Sequence, residues 1–248
     1  MRWLAAVCAV LILASATPAI GSFHTQLQNS VPDRVFLLTM QGTSFNGLHA
    51  PDAPLLEAYL GERVRFALLA TEAHTFHLHG HPWLLENGAI VDTFLVDVDR
   101  PHAFDVPAGG VDHYAGDWMY HCHINGHVAG GMWGILRVYP YSVELTLPVE
   151  GGGGVEGGGA GTTSVRLARM GETLDGATLS LTIDGVPIPA HVEPLGEGRY
   201  QLHATLPATG ALVVTAEHPE HGTSLARLSL SGGELPALSV NAVHGHAR

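Results

Sequence analysis

The chain has 248 residues, 46% of them hydrophobic and 14% charged, which is room for two modest domains at ordinary domain sizes. Its formal net charge is −12, with 23 acidic residues against 11 basic ones, none of them lysine; that balance argues against nucleic acid or an anionic membrane as partner. Histidine is the compositional outlier, at 17 residues.

Residues 1–22 carry one arginine, an apolar run over 3–14 and small residues from Ala16 to Ser22, the pattern of a secretory signal peptide. Ser15, Thr17 and Pro18 interrupt the run before it reaches the roughly 20 apolar residues a membrane span requires. Cleavage is expected between Ala16 and Ser22, which makes the mature chain secreted, periplasmic or exposed on the cell envelope. No other segment is apolar enough to span a bilayer. Cys8 lies inside the signal, so export leaves Cys122 as the one cysteine. A lone thiol makes no internal disulfide, and a metal-bound thiolate is the reading its histidine neighbours favour.

Over residues 23–148, short apolar runs at 35–40, 63–69, 92–96 and 133–139 alternate with Gly, Pro, Asn and Asp clusters and show no long helical period. That pattern predicts an all-β sandwich or barrel. The glycine-rich stretch GGGGVEGGGAG at 151–161 has almost no side chain able to pack, and residues 149–163 read as a flexible linker. Beyond it, strand-like runs at 164–169, 177–183, 200–206, 211–216 and 224–230 are separated by Asp-Gly and Gly-Glu-Gly turns. They predict a second, small immunoglobulin-like β-sandwich over 164–248.

Seven of the histidines fall in two motifs, HTFHLHGH at 74–81 and HCHINGHVAGGM at 121–132. Cys122, His127 and Met132 offer a soft thiolate, an imidazole and a thioether. One more imidazole, from His74, completes the His2Cys set with axial Met that selects copper in a blue-copper site. Successive side chains on a strand point to opposite faces. In an extended HCH triplet, Cys122 therefore points one way and His121 and His123 the other, so one triplet serves two metal sites. The same alternation pairs His77 with His79 and frees His74 for the Cys122 side. His81 is expected to orient its neighbours rather than bind metal.

The two motifs in this order, with Phe45-Asn46-Gly47 and Gly61-Glu62-Arg63-Val64-Arg65 upstream, resemble the C-terminal copper-binding domain of the multicopper oxidases over roughly residues 33–140. The resemblance implies a cupredoxin-like Greek-key β-sandwich. It implies a type 1 copper on His74, Cys122, His127 and Met132, and type 2 and type 3 copper ligands in His77, His79, His121 and His123. Cys122, His121 and His123 are then the catalytic residues that carry electrons between the sites.

The family's trinuclear cluster takes eight histidines, four from each of two domains, and the partner motifs HxHG and HxH are missing from this chain. A homo-oligomer with a two-fold interface would bring like faces together and complete the set. The expected function is a secreted copper-dependent oxidase that passes electrons from a donor to O2. The donor is open among laccase-like phenols, metal ions and a protein. Two rivals stand beside it: a single type 1 electron-transfer cupredoxin, and a type 2 copper site at a subunit interface resembling nitrite reductase. The family's carboxylate before the type 1 histidine is replaced by Asn125 and Gly126, which leaves Asp112 and Asp117 as substitutes for proton delivery.

Overall fold

The computed structural model describes residues 31–147 and 159–230. The expected signal peptide and most of the glycine-rich stretch lie outside the described residues. Described strands fall into two sandwiches. The first contains β1 (Arg34–Gln41), β2 (Ser44–Phe45), β3 (Leu55–Tyr59), β4 (Arg63–Ala70), β5 (His74–Leu78), β6 (Trp83–Leu84), β7 (Ile90–Val91), β8 (Thr93–Val96), β9 (His102–Pro107), β10 (Gly116–Cys122), the short helix α1 (Asn125–Ala129) and β11 (Trp133–Tyr139). One sheet has the order β2-β1-β4-β9 and the other β3-β11-β10-β5-β8. The pairs β1/β4 and β3/β11 are parallel and the remaining pairs antiparallel, so strands near in sequence are exchanged between sheets, as in a Greek key.

Period-two patterning drives this arrangement. In β1, Arg34, Phe36, Leu38 and Met40 are buried and the residues between them exposed. Facing side chains fill the core with rings, Phe66 stacking on Phe104 at 5.3 Å and Trp83 on Phe104 at 3.9 Å. The predicted runs at 35–40, 63–69 and 133–139 all fall within strands.

The second sandwich has one sheet ordered β12-β13-β18-β17 and another ordered β16-β15-β19-β20. Its strands are β12 (Ser142–Thr146), β13 (Gly159–Arg169), β14 (Glu172–Thr173), β15 (Thr178–Ile183), β16 (Val186–Ile188), β17 (His191–Gly196), β18 (Arg199–Leu206), β19 (Gly210–His218) and β20 (Gly222–Leu230). Here the boundaries differ from those read in the sequence. β12, assigned above to the first domain, pairs with β13 from Ser142↔Ala168 to Thr146↔Ser164. The strands flanking 148–158 are thus antiparallel neighbours in one sheet. Residues 159–163, assigned to the linker, pair with β18 from Gly159↔Leu206 to Thr163↔Leu202. Glycine and small residues carry no apolar alternation, so this part of β13 gave no strand signal.

The two sandwiches are joined by hydrogen bonds as well as by the chain. The Tyr59 hydroxyl lies 2.9 Å from the Leu225 carbonyl and 3.3 Å from the Val143 carbonyl. Glu57 receives the Tyr139 hydroxyl at 2.5 Å and the Arg227 Nε at 3.2 Å. Tyr59 and Tyr139 are buried in the same apolar cluster as Tyr141, Leu181 and Val214 of the second sandwich.

Candidate metal centre

Strands β5 and β10 lie side by side at the middle of the five-stranded sheet, with Cys122 opposite Phe76 and His121 opposite His77. Their alternation sorts the histidines. His74, Phe76, Leu78, Tyr120 and Cys122 are buried, whereas His77, His79, His121 and His123 are partly or fully exposed. The structure therefore brings the sequence-predicted residues together as two groups on opposite faces of one sheet.

On the inner face, Cys122 Sγ is 3.7 Å from His74 Nδ1 and 3.5 Å from His127 Nδ1, and the two nitrogens are 3.1 Å apart. A point at the centre of that triangle is about 2.0 Å from each donor, close to the bond lengths of imidazole and thiolate to a first-row metal. The donors fit a soft, three-coordinate ion. His127 is carried by α1, and the loop returns so that Met132 NH donates to the His127 carbonyl and Cys122 NH to the Met132 carbonyl, at 3.0 and 3.1 Å. Met132 is completely buried. Gly130 is required in this loop, since a Cβ there would lie 2.6 Å from Thr43 Cγ2.

Glu72 sets the His74 tautomer. Its carboxylate is 3.3 Å from His74 Nε2, so Nε2–H donates outward and the Nδ1 lone pair faces the thiolate. Hydrogen bonds from the Thr71 hydroxyl and Gly42 NH hold that carboxylate below its usual range. Burial lowers the His74 pKa despite Glu72, keeping the ring neutral.

On the outer face, the donor atoms of His77, His79 and His121 all lie within 4.8 Å of one another. His79 Nε2 and His121 Nε2 are 3.2 Å apart. His77 Nδ1 is 2.8 Å from the Asp92 carbonyl and His121 Nδ1 is 3.0 Å from the Cys122 carbonyl; each ring donates through Nδ1 and leaves its Nε2 lone pair free for a metal. His123 stands beside the group, its ring 5.4 Å from that of His77 and 5.6 Å from that of His121. Desolvation, reinforced by neighbouring imidazoles, lowers the pKa of His79 and His121. Neutral rings crowded together present lone pairs, the form in which imidazole binds metal.

His81 is buried and belongs to neither of the two metal-donor groups. Its ring spans from the His79 carbonyl at 2.7 Å to the Gly109 NH at 3.1 Å, and burial takes its pKa down to about 4. The segment carrying Gly109 closes over the histidine turn: Gly110, at φ +65°, leaves only 2.1 Å between a hypothetical Cβ and the Gly80 carbonyl oxygen. Asp117 forms a two-pronged ion pair with Arg137 at 2.7 Å, and Asp112 is exposed on a turn. Sequence reasoning missed Glu72 and Asp92. Glu72 lies only two residues before His74, in the bend that leads into β5. Asp92, whose carboxylate is 3.8 Å from His77 Nδ1, is brought in by the neighbouring strand and has no local signal.

Residues 22–142 match the family described as multicopper oxidase. Residues 22–142 belong to that family. Among curated relatives, the chain is 40% identical over 86 residues to the "Probable nitrite reductase-hydroxylamine oxidoreductase fusion protein" of Kuenenia stuttgartiensis, covering 33% of this chain and 10% of that one. It is 32% identical over 127 residues to hephaestin of Rattus norvegicus, covering 50% and 10%. It is 41% identical over 106 residues to copper resistance protein A of Escherichia coli, covering 38% and 16%. The chain thus spans between 10% and 16% of the length of these relatives. For residues 22–142, membership of this family implies copper binding. Among the described residues, no helix is long and apolar enough to cross a membrane.

Proposed function

We propose that this chain is an exported copper-dependent oxidase, in which His74, Cys122, His127 and Met132 hold type 1 copper and His77, His79, His121 and His123 hold type 2 and type 3 copper. The observation that carries the reading is the division of one HCH triplet between two donor groups on opposite faces of β10. When bound, the coppers supply single-electron uptake from a donor and the reduction of O2 to water.

The residues do the positioning. Cys122 and its two neighbours connect the donor groups through a few covalent bonds. Glu72 and the Asp92 carbonyl fix ring tautomers, so that lone pairs rather than N–H groups face each site. Tyr120, Phe76 and Leu78 keep water from the inner group. The four outward imidazoles are half the number that the family's trinuclear cluster takes, and a two-fold contact of this face with its mate doubles them.

Copper content measured together with solution mass tests this reading. Two type 1 ions and one shared cluster per pair of chains give about 2.5 coppers per chain in a dimer, or in a larger closed ring built of such dimers. About one copper per chain at monomeric mass would overturn the shared cluster and leave the electron-transfer cupredoxin.

A second reading, nitrite reduction at an interface copper, is favoured by the similarity to the Kuenenia protein. Parallel assays of O2 and nitrite consumption with one electron donor separate the two.

A further inference from the structure

A cluster of two histidines and a carboxylate lies on the second sandwich, remote in sequence from both motifs. β17 is the edge strand of its sheet and pairs antiparallel with β18, placing His191 directly opposite His203 and Glu193 opposite Gln201. On the other side of β18, Thr162 is opposite His203. Tyr200 and Leu202 point into the core, so alternation turns His203, and with it His191 and Glu193, to the outer face. All three are exposed. His191 and His203 border an open depression of about 460 Å3 between Thr162, Pro189 and Thr205.

The histidine rings lie 5.9 Å apart and are inclined by 29°. His203 Nδ1 is 3.3 Å from the Thr162 hydroxyl, while its Nε2 faces the Glu193 carboxylate at 3.6 Å. That separation is too long for a good hydrogen bond. A tetrahedral metal bonded to one imidazole nitrogen and one carboxylate oxygen holds them about 3.4 Å apart. Among the described residues, the His191 side chain has no hydrogen-bond partner, so its nitrogens are free for a third bond.

A half-buried histidine pair of this sandwich differs. His218 and His221 stack at 4.7 Å, but His218 uses Nε2 on the Asp175 carbonyl and Nδ1 on the Glu220 NH. No nitrogen of His218 remains.

We propose that His191, His203 and Glu193 form a surface site for a divalent first-row cation, with solvent completing the shell. Two imidazoles and a carboxylate suit Zn(II), Ni(II) and Cu(II), and the ordinary affinity order of these ions puts Cu(II) first. The site is independent of the cupredoxin-like donors and of the function proposed for them.

The test is a Cu(II) titration of the full chain after its tightly held copper has been loaded, followed by electron paramagnetic resonance. One further Cu(II) with nitrogen couplings from two imidazoles is expected. Its affinity should fall at least about tenfold in His191→Ala and in His203→Ala, and stay unchanged in His218→Ala. Both replaced residues are exposed, so the variants should fold as the parent does, with thermal melting as the check. An added Cu(II) held equally by all three variants, or no added Cu(II) in the parent, would overturn the site.

Discussion

His81→Ala offers a measure of how the outer histidines are held. The substitution removes a ring that joins the His79 carbonyl to the Gly109 NH and packs edge-on against Trp118 at 4.9 Å between centroids. Gly109 is buried, so no water replaces the lost bond without rearrangement. An orphaned buried donor or acceptor costs about 1–3 kcal/mol. The Gly109 NH is one such group, and about 2 kcal/mol for a chain of this size is a fall in melting temperature of roughly 4–8 °C. The functional effect should be one-sided. His79 belongs to the outer group, whereas His74, Cys122, His127 and Met132 lie on the opposite face, so the intense blue absorption should persist. Copper affinity at the outer group should drop by about 10–100-fold, as it does when a ligand loses its supporting hydrogen bond. Melting curves combined with copper content and absorbance check this. A melting temperature within about 2 °C of the parent, or loss of the blue band before loss of the other coppers, would refute the clamp.

Further outcomes follow from the same geometry. Cys122→Ser should abolish intense blue absorption, because the charge-transfer band needs the thiolate; a retained band would rule out the type 1 assignment. His77→Ala should keep the colour and lose O2 consumption, and unchanged turnover would rule out a shared cluster at that face. Tyr59→Phe leaves the carbonyls of Val143 and Leu225 without their hydroxyl partner and should lower stability by about 1–3 kcal/mol; chemical denaturation with no shift in midpoint would show that the sandwiches do not support one another there. Gly110→Ala forces a side chain against the Gly80 carbonyl at a positive φ, a backbone strain of at least about 1–3 kcal/mol, read as a lower melting temperature.

Wherever burial alternates, the sequence could be read directly. β1, β4 and β11 show it as apolar runs, and the HCH triplet shows it as chemistry: Cys122 is buried while His121 and His123 are not. Both donor groups follow from that parity. What escaped reading depended on pairing between distant segments. Glu57 meets Arg227 and Tyr59 meets Leu225 across 170 and 166 residues, and no local pattern marks either pair. Asp92 reaches His77 only because β8 lies beside β5. The glycine-rich stretch misled for a related reason. Its composition suggests separation, yet the strands that flank it pair with each other, and cross-strand hydrogen bonding needs no side chain.

The position of the second sandwich bears on the oligomer. Its contacts with the first involve Tyr59 and Tyr139, at the ends of β3 and β11. His121 is opposite Trp133, at the other end of β11. Six residues separate Trp133 from Tyr139, about 20 Å along an extended strand. The second sandwich is therefore anchored at the end of the sheet away from the outward imidazoles and does not need to cover them. Four partly or fully exposed imidazoles, two of them (His77 and His121) with Nδ1 engaged and Nε2 left free, are suited to meet a like face. If the outward histidines hold copper as proposed, a two-fold contact at that face would bring two such arrays together.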